Sequence, residues 1–330
     1  MTGRLPPLQT YLLHCTSICF HVEDADAARR LAEQWRPFQI ANPTETTDPI
    51  RFRLTFVDAS PAPPDSPLIS SGPDVSYFRQ GDHLAIQFHG WGRFDIDLKA
   101  ARIEGVMARA AIARYGVFED MILLAMTPLL RRRGYFPLHA FAAAVGERAL
   151  ALVGDIGAGK TTTGLALLLR GARLIANDAP LVRLDGDDPV LHAYPGLISA
   201  YPDTIARFPR LARLLTEGQL LDEGEKISFP ADAIMPEPWR QRARPAALLF
   251  PAITPEADRC HLDPLSPALA LAQLVAQSIE SWDAETIPAH VHALRRLVEA
   301  VPAYRLILAS DITHLPDLLL PLAQGAGRDA

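Results

Sequence analysis

Residues Gly154-Asp155-Ile156-Gly157-Ala158-Gly159-Lys160-Thr161 satisfy the pattern G-x-x-x-x-G-K-[ST]. The chemistry open to such a run is holding phosphate. Its glycines let the backbone curl until successive N–H groups face inward at phosphate oxygens, and a helix opening at the lysine adds its positive end. Lys160 would then reach the β- and γ-phosphates and the Thr161 hydroxyl would ligate Mg²⁺, with Thr162 next in the same first turn. An apolar run, Ala149 to Val153, leads into the loop, and Thr161 to Arg170 is helical by its leucine spacing. An ordinary glycine turn lacks that setting, so a nucleotide, ATP with Mg²⁺, is the expected ligand.

Binding a nucleotide is not yet a reaction, and the acid best placed to add one is Asp178. Gly171 supplies a helix stop, Arg173 to Ala176 reads as a short strand, and that strand closes on Asn177-Asp178. If it neighbours the loop's own strand in a parallel sheet, Asp178 emerges at the same sheet edge as Thr161. There it could ligate Mg²⁺ directly or through water, or take the proton of an attacking hydroxyl. The plainer alternative is a cap on the turn before Pro180. His139, in Phe136-Pro137-Leu138-His139-Ala140, is expected on the strand preceding the loop's strand. A lone histidine among apolar neighbours is either a satisfied core residue or a group beside the reacting atoms.

Only Lys99, Lys160 and Lys226 are lysines among 32 basic residues. Arginine therefore carries the general surface charge, and a compact ammonium marks a place where phosphate contact is in question. Lys226 is either such a contact, to phosphate or acceptor, or a solvated charge.

The elements that must position these residues follow from the rest of the chain. At 330 residues two domains are expected, with a boundary after the apolar helix Val117 to Arg133: an N-terminal α+β domain over 1–133 and the loop-bearing α/β domain over 134–330. In the first, Tyr11 to Val22 and Ile50 to Val57 read as strands and Asp24 to Trp35 as a helix opened by acids. Ser60 to Pro73 reads as a loop, and Val75 to Phe78, Leu84 to Phe88 and Arg93 to Asp97 as antiparallel strands. In the second, Leu138 to Val145 and Ala149 to Val153 flank a turn at Gly146-Glu147-Arg148. Helices are expected at Asp203 to Glu217, Pro267 to Ser281 and Ala289 to Val301, with a strand at Tyr304 to Leu308.

Composition excludes several classes. A net charge of −6 argues against a nucleic-acid partner, and the three arginines at 131–133 suit a helix end better than a nucleic-acid site. The apolar run Met121 to Leu130 is about half of what a bilayer span needs, so no membrane partner is expected. Three cysteines fit a reducing cytoplasm, with Cys15 and Cys19 read as a buried pair in a strand. His290 and His292 read as residues of a solvated helix.

The spacing of Leu138-His139-Ala140, Val153-Gly154-Asp155 through Lys160-Thr161, and Arg170-Gly171-Ala172-Arg173-Leu174-Ile175-Ala176-Asn177-Asp178 resembles the catalytic domain of the bacterial HPr kinase/phosphorylase family. The resemblance covers Gly134 to Val182. It implies a P-loop domain of the HPr kinase/phosphoenolpyruvate carboxykinase type with a mixed sheet, and an enzyme that phosphorylates a protein serine. In that setting Lys160 and Thr161 hold phosphates and Mg²⁺, Asp178 activates the acceptor hydroxyl, and His139 tunes the proton affinity of Asp178. Where the family carries two consecutive acids this chain has Asn177-Asp178, and the glycine-rich signature of the reverse reaction has no counterpart. The segments Tyr194 to Ile198, Tyr201 to Thr204 and Asp222 to Ile227 resemble HPr-kinase-related proteins of ribosomal-peptide clusters, including lasso-peptide tailoring kinases. In those relatives a lysine at the place of Lys226 lies near the nucleotide, and Arg305 is expected near the site by the same likeness.

The implied activity is in-line transfer of the γ-phosphoryl group to a serine or threonine hydroxyl of a peptide or small protein, with the N-terminal domain helping to recognise it. Relatives form rings, so self-association belongs to the same expectation. Two alternatives remain at this point: a kinase for a small hydroxylated metabolite, and a nucleotide-dependent switch or ATPase that releases phosphate to water. A binding module that has lost turnover is a third.

Overall fold

The computed structural model describes residues 8–40, 48–114, 116–215 and 226–324. The chain divides into two compact units, Met1–Arg133 and Gly134–Ala330.

The first unit is built on one eight-stranded sheet. Its strands are β1 (Gln9–Leu13), β2 (Thr16–Val22), β3 (Ile50–Val57), β4 (Leu68–Ser71), β5 (Val75–Gln80), β6 (His83–Phe88), β7 (Gly92–Asp97) and β8 (Arg102–Ala108), in the order β1-β2-β3-β8-β7-β6-β5-β4. Alternation sends Phe52, Leu54, Phe94 and Ile96 inward and Arg51, Arg53, Asp95 and Asp97 outward. Helix α1 (Ala25–Trp35) lies between β2 and β3. Asp24 Oδ1 caps it, accepting from the N–H groups of Asp26 and Ala27 at 2.9 and 3.1 Å. Its apolar stripe, Ala27, Ala28, Leu31 and Trp35, is buried, and Trp35 meets Phe20 at 5.2 Å between ring centres. A short helix α2 (Ala110–Ala113) precedes α3 (Val117–Arg132), and the Arg30 Nε to Glu119 Oε1 bond of 2.6 Å ties α1 to α3.

Two expectations for this unit are corrected. The Pro- and Ser-rich stretch 60–73 is not all loop, because Leu68–Ser71 pairs with β5 as an edge strand. Cys15 and Cys19 are not a buried pair: a turn separates β1 from β2, leaving Cys15 exposed and Cys19 half-buried.

The second unit holds β9 (Phe136–Pro137), β10 (Ala140–Val145), β11 (Arg148–Val153), β12 (Arg173–Ala176), β13 (Leu181–Asp185), β14 (Asp188–His192), β15 (Ile198–Ala200), β16 (Ile227–Phe229), β17 (Arg242–Ile253), β18 (His261–Leu265) and β19 (Ala303–Leu308). Its helices are α4 (Lys160–Leu168), α5 (Pro202–Ala206), α6 (Pro267–Ser278), α7 (Ile287–Ala300) and α8 (Leu315–Gln324). The architecture is mixed α/β. Long β17 joins two branches, β12-β10-β11-β17-β19-β18 on one side and β17-β14-β13-β9 on the other, while β15 and β16 form a separate two-stranded ribbon.

The strand after the loop's helix does not sit beside the loop's own strand as expected. β10 comes between them, antiparallel to both β11 and β12. The hairpin turn at Gly146 folds β10 back onto β11 first, leaving β12 only the outer edge of β10. Since β11 runs parallel to β17 and β17 to β19, the strands β12, β11, β17 and β19 share one direction, and their carboxyl ends share one edge. Open α/β sheets bind ligands at that edge.

Other boundaries differ too. The helix expected over 203–217 is α5 followed by a 3₁₀ segment, Pro209–Leu215, and its last two positions lie outside the described residues. His290 is not on a solvated face, because α7 turns it inward to stack on Phe136 at 4.9 Å between ring centres. Among the described residues no helix is long and apolar enough to cross a membrane.

Candidate functional site

Pairing registers bring three separate chain segments to the shared edge. Ala140 stands opposite Val153, so the residue before the one and the residue after the other, His139 and Gly154, leave the sheet at the same level. Beyond the last pair of β10 and β12 the chain stays joined, with Ala140 N donating to Asp178 O at 3.1 Å and Leu138 N to Pro180 O at 2.9 Å. His139 is therefore not in a strand but in a bend between β9 and β10, between the glycine-rich loop and Asp178. Its own N–H is held by Ser278 Oγ, at the end of α6, at 3.3 Å.

The loop's shape follows from its glycines. Gly157 and Gly159 have φ of +84° and +102°, a region that side chains strongly disfavour. Gly159 is the N-cap of α4 and offers no side chain to its first N–H groups, which remain available to an anion. One turn on, a Cβ at Gly164 would collide with the ring of Phe141 on β10, so glycine is what lets α4 lie close against the sheet. The helix start is thereby fixed over the strand ends.

Lys160 is 7% exposed. Its ammonium donates to Gly154 O, to Asp155 O at 3.1 Å and to His139 Nε2 at 3.2 Å. Burial holds the Lys160 ammonium below the ordinary lysine value, partly offset by the negative charges of Asp178 and Asp155, while Lys226 adds to the lowering. Burial likewise lowers His139, and the Lys160 charge lowers it further against the opposing pull of Asp178 and Asp155. Lys160 thus feels the charges of Asp178, Asp155 and Lys226.

The opposite wall is the β15–β16 ribbon. Ala200 pairs with Ile227, so the next residue on one strand, Tyr201, faces the preceding residue on the other, Lys226. The Lys226 ammonium lies 5.1 Å from the centre of the Tyr201 ring, a cation–π contact that keeps a long side chain at the rim. Within the ribbon, the paired Ser199 and Ser228 share a side-chain hydrogen bond of 3.1 Å. The third wall is the ends of β17 and β19, where Thr254 N donates to Leu308 O at 2.9 Å. Arg207 bridges two walls through its Nη1 and Ser310 O at 3.3 Å.

These walls enclose a cavity of about 470 Å³, a size ordinary for a small-molecule site. Of the residues singled out in the sequence, His139, Asp155, Ile156, Gly157, Gly159, Lys160, Thr161, Thr162, Asp178 and Lys226 all line it. Gly154 and Ala158 stand behind the lining, Gly154 through the carbonyl that holds Lys160. Tyr201, Asp203 and Thr204, from a segment noted for its resemblance, also line it, whereas Asp222 to Glu225 fall outside the described residues. Arg305 is not at the site: it is exposed on β19, three residues short of the strand end. The sequence reading missed Ile253 and Leu308, which the pairing of β17 with β19 brings to the cavity, and Arg207, which follows directly on α5.

The donor set suits a polyanion with a hard divalent cation. Lys160, Lys226 and Arg207 supply positive charge, the first turn of α4 supplies free N–H groups, and the Thr161 hydroxyl and Asp178 carboxylate supply oxygens. Among the described residues no cluster of three or more His, Cys, Asp or Glu could hold a metal by itself. Mg²⁺ is commonly held by one or two protein oxygens together with substrate phosphates, and Thr161 and Asp178 offer such oxygens. Asn177, where the resembled family has an acid, donates from Nδ2 to Asp178 Oδ2 at 2.6 Å and so fixes that carboxylate instead of adding a second charge.

No protein-family model matches the chain, and no curated protein does. Among solved structures it is distantly similar to the HPr(Ser) kinase/phosphatase from Coxiella burnetii, at 11% identity over 58% of this chain and 95% of that chain, with a TM-score of 0.32.

Proposed function

We infer that the second unit is a Mg²⁺-dependent kinase that transfers the γ-phosphoryl group of ATP to a serine or threonine hydroxyl of a peptide or small protein. The observation that carries this reading is the convergence of Lys160, Thr161 and Asp178, from two different segments, on one cavity at the carboxyl edge of the sheet. In this reading the backbone of 154–161 and the uncapped start of α4 bind the phosphates, and Lys160 neutralises their charge. Thr161 directly, and Asp178 through water, would hold the metal, which when bound would draw charge from the phosphate oxygens. Asp178, oriented by Asn177, accepts the hydroxyl proton as the oxygen attacks. Lys226, held at the rim by Tyr201, is set to meet phosphate or acceptor. Most of the acceleration is positioning, as is general for phosphoryl transfer.

The first unit is assigned to acceptor recognition, and the tailoring of a ribosomally made peptide is the setting that the sequence likeness favours. The test is purified full chain with labelled ATP, Mg²⁺ and candidate peptides that carry serine or threonine. Label on the peptide is the expected result. Phosphate released only to water would replace this reading with the nucleotide-driven switch, and label on free serine would make the acceptor a metabolite.

A further inference from the structure

The last strand of an open sheet offers a row of backbone N–H and C=O groups that another strand can pair in kind. Most such edges of this molecule are closed. β1 is bridged through Tyr11 to Gln39, and β12 through Leu174 to Trp239. β9 is two residues long and ends in Pro137, β15 and β16 are buried, and β18 carries His261, Asp263 and Pro264. β4, at the end of the eight-stranded sheet, is different: its residues Leu68-Ile69-Ser70-Ser71 include no charge and no proline, and among the described residues no strand or bridge pairs with its outer side. Leu68 and Ile69 are 57% and 42% exposed. The register shifts between Leu68 and Ser70, so Ile69 is a bulge with no residue of β5 opposite it. The other end of the strand is pinned. Ser71 Oγ and Ser76 Oγ share a hydrogen bond of 2.9 Å, Ser76 Oγ bonds His89 Nε2 at 2.8 Å, and His89 Nδ1 donates to Pro73 O at 2.8 Å. The edge is therefore a preformed template, which lowers the cost of adding a strand to it.

Resting on the reading of this chain as a peptide kinase, we propose that β4 docks the acceptor peptide as an added strand: an extended stretch of the peptide pairs its backbone with 68–71 and lays apolar side chains against Leu68 and Ile69. The size of the edge argues for a peptide over a second copy of this chain. Its four residues span about 14 Å, and a strip that short falls well below the ~1,200 Å² that a stable protein pair buries. The bulge at Ile69 interrupts the regular register, which also limits how far pairing can run. A contact of this size suits a substrate that must leave after transfer. Backbone pairing gives the hold, and the aliphatic pair selects an uncharged, apolar stretch in the peptide.

The probe is the peptide that takes most label in the transfer assay above, used with the full chain. Hydrogen exchange with and without that peptide reads the edge directly in the unaltered protein, and peptides N-methylated at alternate residues test whether the hold is through the backbone. The Leu68→Lys/Ile69→Lys variant places charge on the edge; both side chains are exposed, so the core packing stays in place, and far-UV circular dichroism checks that the variant folds. Expected are amides of 68–71 that exchange about tenfold more slowly with peptide bound, and a KM for peptide raised about tenfold by the variant and by N-methylation, with kcat and the KM for ATP within about twofold. A labelled peptide that leaves 68–71 unprotected, or whose KM neither change moves, would overturn the docking edge while leaving the kinase standing. Protection of 68–71 that grows with protein concentration in the absence of peptide would give the edge to a second copy and overturn the proposal. If no peptide takes label, the kinase reading itself falls, and the docking edge with it.

Discussion

The Lys160 ammonium donates to His139 Nε2 across 3.2 Å. An ammonium can only donate, so this histidine nitrogen accepts, and the ring is neutral with its proton on Nδ1. Burial and the Lys160 charge both favour that neutral form. The sequence likeness pairs His139 with Asp178, but here its hydrogen bond goes to the lysine. Together with the Gly154 and Asp155 carbonyls, it sets where the Lys160 charge rests.

His139→Ala should therefore lower kcat/KM for ATP by about 10–100-fold through a misplaced Lys160, and His139→Gln, which keeps an acceptor, should recover part of the loss. Steady-state kinetics of both variants checks this. Equal loss in Ala and Gln would remove the acceptor role.

Asp178→Asn should leave nucleotide affinity within about threefold and slow phosphoryl transfer by about 10²–10⁴-fold, the usual worth of a positioned general base. Isothermal titration measures the first and single-turnover transfer the second. An undiminished rate would sink the assignment of the base.

Acid should weaken the fold through His139. Its pKa is lowered in the folded chain, so between that value and the ordinary histidine value the unfolded chain binds more protons, and stability rises with pH across the window. Urea midpoints followed from neutral pH down through the ordinary histidine range should fall, and His139→Gln should flatten the slope. Lys160 has the same sign at the alkaline end, where its burial penalty fades as the ammonium deprotonates. Nucleotide affinity should fall over that range, because the charge that meets phosphate is lost.

Gly164→Ala should destabilise the second unit by about 1–3 kcal/mol, because the added methyl meets the Phe141 ring and must push α4 away from β10. Thermal unfolding measures the shift. If α4 moves as the packing requires, nucleotide binding weakens as well, although residue 164 does not line the cavity.

The strand–loop–helix–strand run was legible in the sequence because its signals are local: an apolar run into Gly154, leucine spacing in 161–170, and Gly171, whose φ of +93° is the left-handed stop expected of it. What closes the site from further away was not. β17 carries Pro245 and Pro251 within its twelve residues, and prolines read as breaks until the pairing with β11 and β19 is seen. His290 reads with His292 as one solvated pair, although only His290 turns inward, and its partner Phe136 is more than 150 positions away. The place of Asp178 was found for an incomplete reason. Its strand does point to the right edge, but across β10, and that intervening strand is what sets His139 between acid and lysine.

That insertion has a consequence for how the chain may be cut. The loop and the histidine are held level by the hydrogen-bond ladder of β10 and β11, not by the turn that joins them. Gly146, at that turn, has open space around it and lies at the far end of both strands from the cavity. A circular permutant with new termini at Gly146 and Glu147 would carry His139 near one chain end and Lys160 near the other, and its hydrogen-bonded sheet would still bring the two side chains together.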